Sequence, residues 1–393
     1  MPWKESRIVD ERMKFIVRLN EGEKVTDLSR EFGISRKTAY KIISRYQKMG
    51  LAGLADQSRR PNRQANLMSP ELCSVLLKMK REKPTWGAPK IRELFIRKFP
   101  RTRPPAISTI HSLFDRNGLV ASRNRSRGGE FKAQGTYLSI PTQPNDLWCT
   151  DFKGHFPLGN KETCYPLTIT DFVSRKIITI EAMDKINWIS VKTAFQEAFL
   201  DHGMPTALRS DNGSPFASKG LFGLTQLSVW WLKLGIKLER IKPGCPQQNG
   251  RHERMHRTLK FDCTFPASRN LLAQQERFER FKDEFNNERP HQALDMKTPS
   301  DIYVNSSRQY TLDESEPEYE PEYQIMRVSA DGTIQAKSFR VYLSQALKDQ
   351  PVGLRQVDEY VNEVKFAGYK LGYFDSLSRK FSPAEDPFHW GAK

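Results

Sequence analysis

Apolar side chains in the first third of the chain recur at helical spacing. In KVTDLSREFGISRKTAYKIISRYQK (residues 24–48), Leu28 and Phe32 stand one turn apart and Gly33 interrupts. Ala39, Ile42, Ile43 and Tyr46 then line a second helix. That period, with a glycine break and Ser35 as N-cap, predicts a helix-turn-helix. Polar Arg36, Lys37, Thr38, Lys41 and Arg45 fall off the apolar stripe and are the expected DNA contacts. An ordinary αα-hairpin shares the stripe; the basic residues opening the second helix favour DNA. Further helical stretches at 71–81, 90–99 and 108–117 are separated by TWGAP and PRTRPPA. They predict a second helical unit, either DNA-binding, with Ser108, Thr109, His111 and Arg116 near its last helix, or a plain packing module.

From residue 144 the pattern changes. DLWCTDF (146–152) has the content of a short buried strand, and 164–184 reads as two β-rich runs around Phe172–Arg175. TALRSDNG (206–213) is a strand ending in a turn, and 236–241 is another. Helical stretches fall at 187–202, 221–234, 249–260 and 274–287. Strands alternating with helices predict an α/β core on a mixed sheet. DESEPEYEPE (313–322) holds six acids and two prolines and reads as a stiff, solvated linker. Beyond it, Asp331–Gly332 sits between β-rich runs, and a small β-barrel of about 60 residues is expected. The expected organisation is multidomain: an all-α helix-turn-helix domain over 1–60, a second helical DNA-binding unit over 66–120 and a basic linker over 121–140. The α/β core spans 141–305, an acidic linker 306–322 and the barrel 323–393.

Charge sharpens this picture. The 393 residues carry a net +17, and residues 1–140 alone hold 30 Lys+Arg against 13 Asp+Glu. The rest of the chain is neutral. A basic arm coinciding with a helix-turn-helix attracts a polyanion through counterion release, with double-stranded DNA the expected partner. No window of 18 apolar residues predicts a membrane span, and MPWKESRIVDERMK lacks the apolar run of a secretory signal. Five scattered cysteines, with no C-x-x-C, fit free thiols in a reducing compartment. The expected location is the cytoplasm.

Three acids occupy positions where an acid has reason to be exposed. Asp151 nearly ends the first strand, Asp211 follows TALRS, and Glu253 lies in the first turn of a helix after a Gly/Pro loop. Ligands bind at strand ends in α/β sheets. Carboxylates converging there repel unless cations lie between them, and an all-oxygen donor set suits Mg²⁺ or Mn²⁺. Two such ions, about 4 Å apart, serve phosphoryl transfer. Arg257 and Lys260 share the helix face of Glu253, and Arg254 adds a further cation; all three are expected to contact DNA. Asp146 and Asp171 are fallback ligands. The segment NGRHERMH also spells H-E-x-x-H (His252, Glu253, His256), a zinc-peptidase signature. Its basic helix and the two Asp-bearing strands argue against a metalloprotease.

DLWCTDF, LRSDNGSPFAS, WWLKLGI, PGCPQQNGRHERMHRTLK and ERPHQAL together resemble the DDE transposases of insertion sequences, with a retroviral-integrase-like catalytic core. The resemblance is close over about 140–300 and implies an RNase-H-like core. It implies that Asp151, Asp211 and Glu253 are the catalytic and metal-binding triad, with two Mg²⁺ (or Mn²⁺) ions per site. Arg257 and Lys260 match positions that touch DNA near the metals, and Pro243–Gly250 matches a mobile active-site loop. The implied function is a transposase that binds terminal repeats, cleaves DNA and joins 3′-hydroxyl ends to target DNA, acting as a dimer or larger homo-oligomer. The sequence departs from the shorter integrase cores by a surplus near Gly213–Leu227, and a helix-turn-helix replaces their His/Cys zinc domain. A sequence-specific DNA-binding regulator with an idle core, and an RNase H-type hydrolase acting on hybrids, are the alternatives.

Overall fold

The structure, a computed structural model, describes residues 8–56, 68–120, 138–242, 246–312, 315–336 and 339–388. Residues 121–137 of the expected basic linker lie outside them, as do Pro243–Cys245 of the expected mobile loop. The chain divides into two compact units, Met1–Ser69 and Pro70–Lys393.

In the first unit, α1 (Ile8–Asn20), α2 (Val25–Glu31) and α3 (Arg36–Met49) close over Phe15, Ile16, Leu28, Ala39, Ile42 and Leu54. Phe32 meets Phe15 edge-on at 5.6 Å. Gly33 turns the chain in the left-handed region (φ 63°), where a side chain is disfavoured. Ser35 Oγ then accepts from the Thr38 N–H at 3.1 Å and caps α3.

The second unit opens with α4 (Pro70–Glu82), α5 (Ala88–Lys98) and α6 (Ile107–Arg116), packed on buried Leu76, Trp86, Ile91, Phe95, Ile110 and Phe114. These helices also dock on the chain that follows the sheet. Lys83 Nζ lies 2.8 Å from Glu284 and 2.9 Å from Glu288, and Arg97 donates to the Met296 carbonyl at 2.9 Å. Ser108, Thr109, His111 and Arg116 all remain exposed.

The sheet contains β1 (Leu147–Phe152), β2 (Phe156–Pro157), β3 (Thr163–Asp171), β4 (Ile177–Met183), β5 (Ala207–Ser210) and β6 (Lys237–Arg240). Its order is β2-β3-β1-β5-β6, with β4 on β3. β1 pairs antiparallel with β3 and parallel with β5, and β5 pairs parallel with β6, so the sheet is mixed. Strands buried on both faces need helices on both. α7 (Trp188–His202) and α8 (Gln226–Lys233) cover one face through Phe195, Phe199, Trp230 and Trp231. α9 (Gly250–Cys263) and α10 (Leu271–Asp283) cover the other through Met255, Leu259, Phe278 and Phe281.

The C-terminal segment corrects two expectations. β7 (Gln324–Arg327), β10 (Pro351–Gln356), β11 (Val361–Phe366), β12 (Tyr369–Asp375) and β13 (Lys380–Pro383) form an open sheet in the order β13-β12-β11-β10-β7. β8 (Thr333–Ala336) and β9 (Phe339–Tyr342) make a separate hairpin. Among the described residues there is no closed barrel. Closure is not needed to bury the sheet's apolar face, because Leu224, Val229 and Leu232 from around α8 join the cluster of Val352, Val364, Phe366 and Phe374. The acidic stretch is likewise not a free linker over 315–322. Glu320 pairs with Lys365 at 2.7 Å, and the Tyr319 hydroxyl donates to the Pro351 carbonyl at 2.7 Å. Gly353 makes room for that ring, since a Cβ there would lie 2.6 Å from Tyr319 Cδ1.

Candidate active site at the strand ends

Strand direction decides which acids meet. β1 and β5 run parallel with Leu147 opposite Ala207 and Cys149 opposite Arg209. The same register carried forward sets Asp151 level with Asp211, on neighbouring strands about 4.8 Å apart. Asp151 is half-buried, and its carboxyl is pushed up to about 7 by burial, then by Asp211, with a smaller contribution from Glu253. The Phe152 N–H and Lys153 oppose that shift. Asp211 is raised too, by burial, against the Gly213 N–H. Its Oδ1 is buried with no hydrogen-bond partner. Gly213 permits this close turn, because a Cβ there would stand 2.9 Å from Asp211 Oδ2. The Asn212 side chain donates to the Ile241 carbonyl at 2.6 Å and ties the end of β5 to the end of β6.

Glu253 is exposed in the first turn of α9. Among the described residues, no three His, Cys, Asp or Glu side chains stand close enough to hold a metal ion. Two aspartates are thus brought level, and Glu253 acts electrostatically on Asp151.

Asp171 and Asp146 are committed elsewhere. β3 is antiparallel to β1, so Thr168 faces Asp151 whereas Asp171 faces Trp148, about 10 Å back along the strand. The Asp171 carboxylate accepts from the Asn145 N–H (2.8 Å), the Ser174 N–H (2.7 Å) and the Ser174 hydroxyl (2.6 Å), and so holds the β3–β4 turn. Asp146 accepts from the N–H groups of Thr142 and Gln143, each at 2.9 Å, which depress its pKa.

The two histidines of H-E-x-x-H face the sheet. The Thr168 hydroxyl donates to the Asp151 carbonyl at 2.9 Å and lies 2.7 Å from His252 Nε2 and 2.6 Å from His256 Nε2. Its single proton is spent on the carbonyl, so both Nε2 atoms carry hydrogen and donate to it. His252 Nδ1 then accepts from Thr170 at 2.8 Å. Burial pushes His252 down to about 3 and lowers His256 as well, so both are neutral. The pair is thus spent on the sheet beneath Asp151, with His256 Nδ1 3.8 Å from Asp151 Oδ2. The sequence leaves the two histidines to packing or to DNA contact, and they are buried in packing. The signal was the spacing of His252, Met255, His256 and Leu259, all on the buried stripe of α9.

Arg254, Arg257 and Lys260 are exposed on α9. In the first unit Arg36, Lys37, Thr38 and Lys41 are exposed on α3 and Arg45 is half-buried. Thr38 also meets Ser35 Oγ at 2.9 Å, so its hydroxyl is part of the helix cap. Among the described residues no helix is long and apolar enough to cross a membrane.

Comparison with known proteins finds matches in both units, one of them across the boundary. Residues 141–246 and 234–299 match the integrase core domain, residues 11–62 a helix-turn-helix domain and residues 38–114 a homeodomain-like domain. The chain is similar to an uncharacterized 31.7 kDa protein of insertion element IS407 from Burkholderia multivorans. They are 28% identical over 200 residues, covering 49% of this chain and 67% of the relative. An uncharacterized 39.2 kDa protein of insertion element IS476 from Xanthomonas euvesicatoria is 25% identical over 282 residues, covering 69% and 76%. Among solved structures, the HTLV-2 integrase catalytic core domain in complex with magnesium is 18% identical. It covers 42% of this chain and 98% of its own, with a TM-score of 0.31. The catalytic core domain of BIV integrase is 20% identical, covering 40% and 93%, also with a TM-score of 0.31.

Proposed function

The chain resembles an insertion-sequence transposase with an integrase core behind a helix-turn-helix, and from that premise we propose that it is a DNA transposase. It binds the terminal repeats of an element, cleaves DNA and joins the 3′-hydroxyl ends to target DNA. The observation that carries this reading is the pair of aspartates level on adjacent parallel strands, with Asp211 Oδ1 buried and unpartnered.

The donor chemistry fits hard divalent cations. Asp151 and Asp211 are all-oxygen ligands, both driven upward in pKa by burial first, and a bound cation would offset that cost. Asp151, Asp211 and Glu253 would hold two Mg²⁺ or Mn²⁺ ions. When bound, such a pair lowers the barrier to attack by water or a 3′-hydroxyl and stabilises the leaving oxygen. The reading requires Glu253 to approach the aspartates, since no three such ligands are gathered among the described residues. The Gly213 N–H orients Asp211, and the Thr168–His252–His256 anchor fixes the strand beneath Asp151. Arg257 and Lys260, on the Glu253 flank of α9, supply positive charge for phosphates, and Arg254 does so from another flank of the helix. Arg36, Lys37, Thr38, Lys41 and Arg45 read or grip DNA from α3. Joining two ends requires both in one complex, so the active form is at least a dimer.

A DNA-binding regulator with an idle core is the second reading. It is favoured by the absence, among the described residues, of three gathered carboxylate, imidazole or thiol ligands. Strand transfer with labelled terminal-repeat DNA separates the two. The transposase reading expects Mg²⁺-dependent joining that is abolished by Asp151→Ala, Asp211→Ala or Glu253→Ala while end binding persists. It also expects Mg²⁺ to raise the melting temperature of the wild type but not of Asp151→Asn. Mg²⁺-dependent nicking that survives Asp151→Ala would refute the assignment.

A further inference from the structure

The flank of α9 opposite Glu253 borders a pocket at the other end of β1. Lys90 on α5, Arg175 in the β3–β4 turn, Arg251 and Arg254 on α9, and Arg289 and His291 beyond α10 all line it. One acid, Asp171, reaches the wall, and its two oxygens already take three hydrogen bonds. Among the described residues no carboxylate lies within ion-pair distance of Lys90, Arg175, Arg251 or Arg254. Arg289, with its side chain just 10% exposed, has Asp262 at 3.8 Å and a weaker influence from Glu284. Arg175 Nε and His291 Nε2 are both buried without a hydrogen-bond partner. A buried donor without a partner at Arg175, beside Lys90, Arg251 and Arg254 with no carboxylate of their own, calls for an anion.

The backbone adds an independent observation. Arg175 sits in the left-handed region at φ 65°, where glycine or asparagine is favoured. Strain of this kind persists where a side chain is needed at that place. Arg251 is positioned as well, donating to the Phe172 carbonyl at 3.0 Å and stacking 4.0 Å over the Phe172 ring. Burial, and then Arg289, hold the Lys90 ammonium down to about 7, as expected of a cation whose counter-ion is missing.

We propose that this pocket binds a tetrahedral oxyanion, a phosphate group, through Arg175, Arg251, Arg289 and Lys90. Two sources share that chemistry: a phosphodiester of DNA lying along α9, and free phosphate. Guanidinium forks match either, and the pocket's depth favours one group held closely over a diffuse backbone contact. The pocket does not depend on the strand-end acids, and its test requires no DNA cleavage.

The test uses the full chain. Inorganic phosphate is compared with chloride at equal ionic strength for its effect on melting temperature. Affinity for a generic DNA duplex is then measured across a salt series. Arg175→Gly removes the guanidinium and relieves the left-handed backbone, so it is expected to fold. Arg251→Gln is the second variant, in case the first does not. Wild type should gain roughly 3 °C in millimolar phosphate. Each variant should lose at least half of that gain. If the ligand is a DNA phosphodiester, the slope of log K against log salt should fall by about 1 in each variant. A phosphate shift alone assigns the pocket to a free anion, and a slope change assigns it to DNA. A folded variant that changes neither overturns the proposal.

Discussion

The two ends of β1 are built from the same strands and opposite flanks of one helix, yet their electrostatics are reversed. At the forward end, Asp151 and Asp211 come level, and each is pushed toward neutrality by burial. At the rear end, Lys90, Arg175, Arg251 and Arg289 gather around an acid that is already satisfied. Both ends carry uncompensated charge that a fold selected only for stability would remove. The forward end gathers acids and the rear end gathers cations, so the two ends suit ligands of opposite charge. Between them the buried histidine pair, held on Thr168 and Thr170, fixes α9 to the sheet so that its two flanks keep their separate environments.

The sharpest way to break this comparison is to remove charge at one end and read the other. Asp151→Ala or Glu253→Gln should reduce strand transfer by roughly a thousand-fold or more while leaving DNA affinity within about twofold. Arg175→Gly should do the reverse, weakening DNA affinity while saturating DNA restores strand transfer. An Arg175→Gly protein that is dead at saturating DNA would merge the two ends into one site. Next in size is the anchor between them. Thr168→Val leaves two buried imidazole N–H groups without an acceptor, and should cost about 3 kcal/mol in urea unfolding. Zinc should not restore that loss, because the imidazoles serve the sheet.

Much of the forward end was legible in the sequence, and little of the rear end. β1, β5 and α9 each announce themselves by apolar pattern and a terminal acid, and the level pairing of Asp151 with Asp211 follows once β1 and β5 are parallel neighbours. The rear pocket draws single residues from α5, a hairpin turn, α9 and the segment after α10, and no local period links Lys90 to Arg175 or His291. Asp171 shows the limit from the other side. It ends an apolar strand as Asp151 does, and only the antiparallel register with β1 removes it from the site. The barrel expectation failed for a similar reason. The alternation in 323–393 specifies a buried face, but what covers that face, here Leu224, Val229 and Leu232, lies a hundred residues earlier. The fold of 8–56 was the most legible, since its cap, turn glycine and apolar stripe are all local.

Two finer changes test each end without removing a charge. Gly213→Ala pushes a methyl against the Asp211 carboxylate and should slow strand transfer about tenfold, with stability changed by less than about 1 kcal/mol. The smallest effect lies in the pH dependence of the rear pocket. Lys90 faces Arg289 and Asp262, with Arg175 and His291 across the pocket, and its ammonium is held down to about 7. A basic group depressed in the fold weakens stability as pH falls from its ordinary value of 10.5 toward 7, because the folded state resists the proton that the unfolded chain accepts. An oxyanion in the pocket reverses that preference and draws the proton in. DNA affinity at fixed salt should therefore rise a few-fold as pH falls from 8.5 to about 7. Lys90→Met should flatten that rise. His291, pushed down to about 3, stays neutral throughout this range and so cannot be its source. A rise that persists in Lys90→Met would place the proton elsewhere and detach Lys90 from the anion.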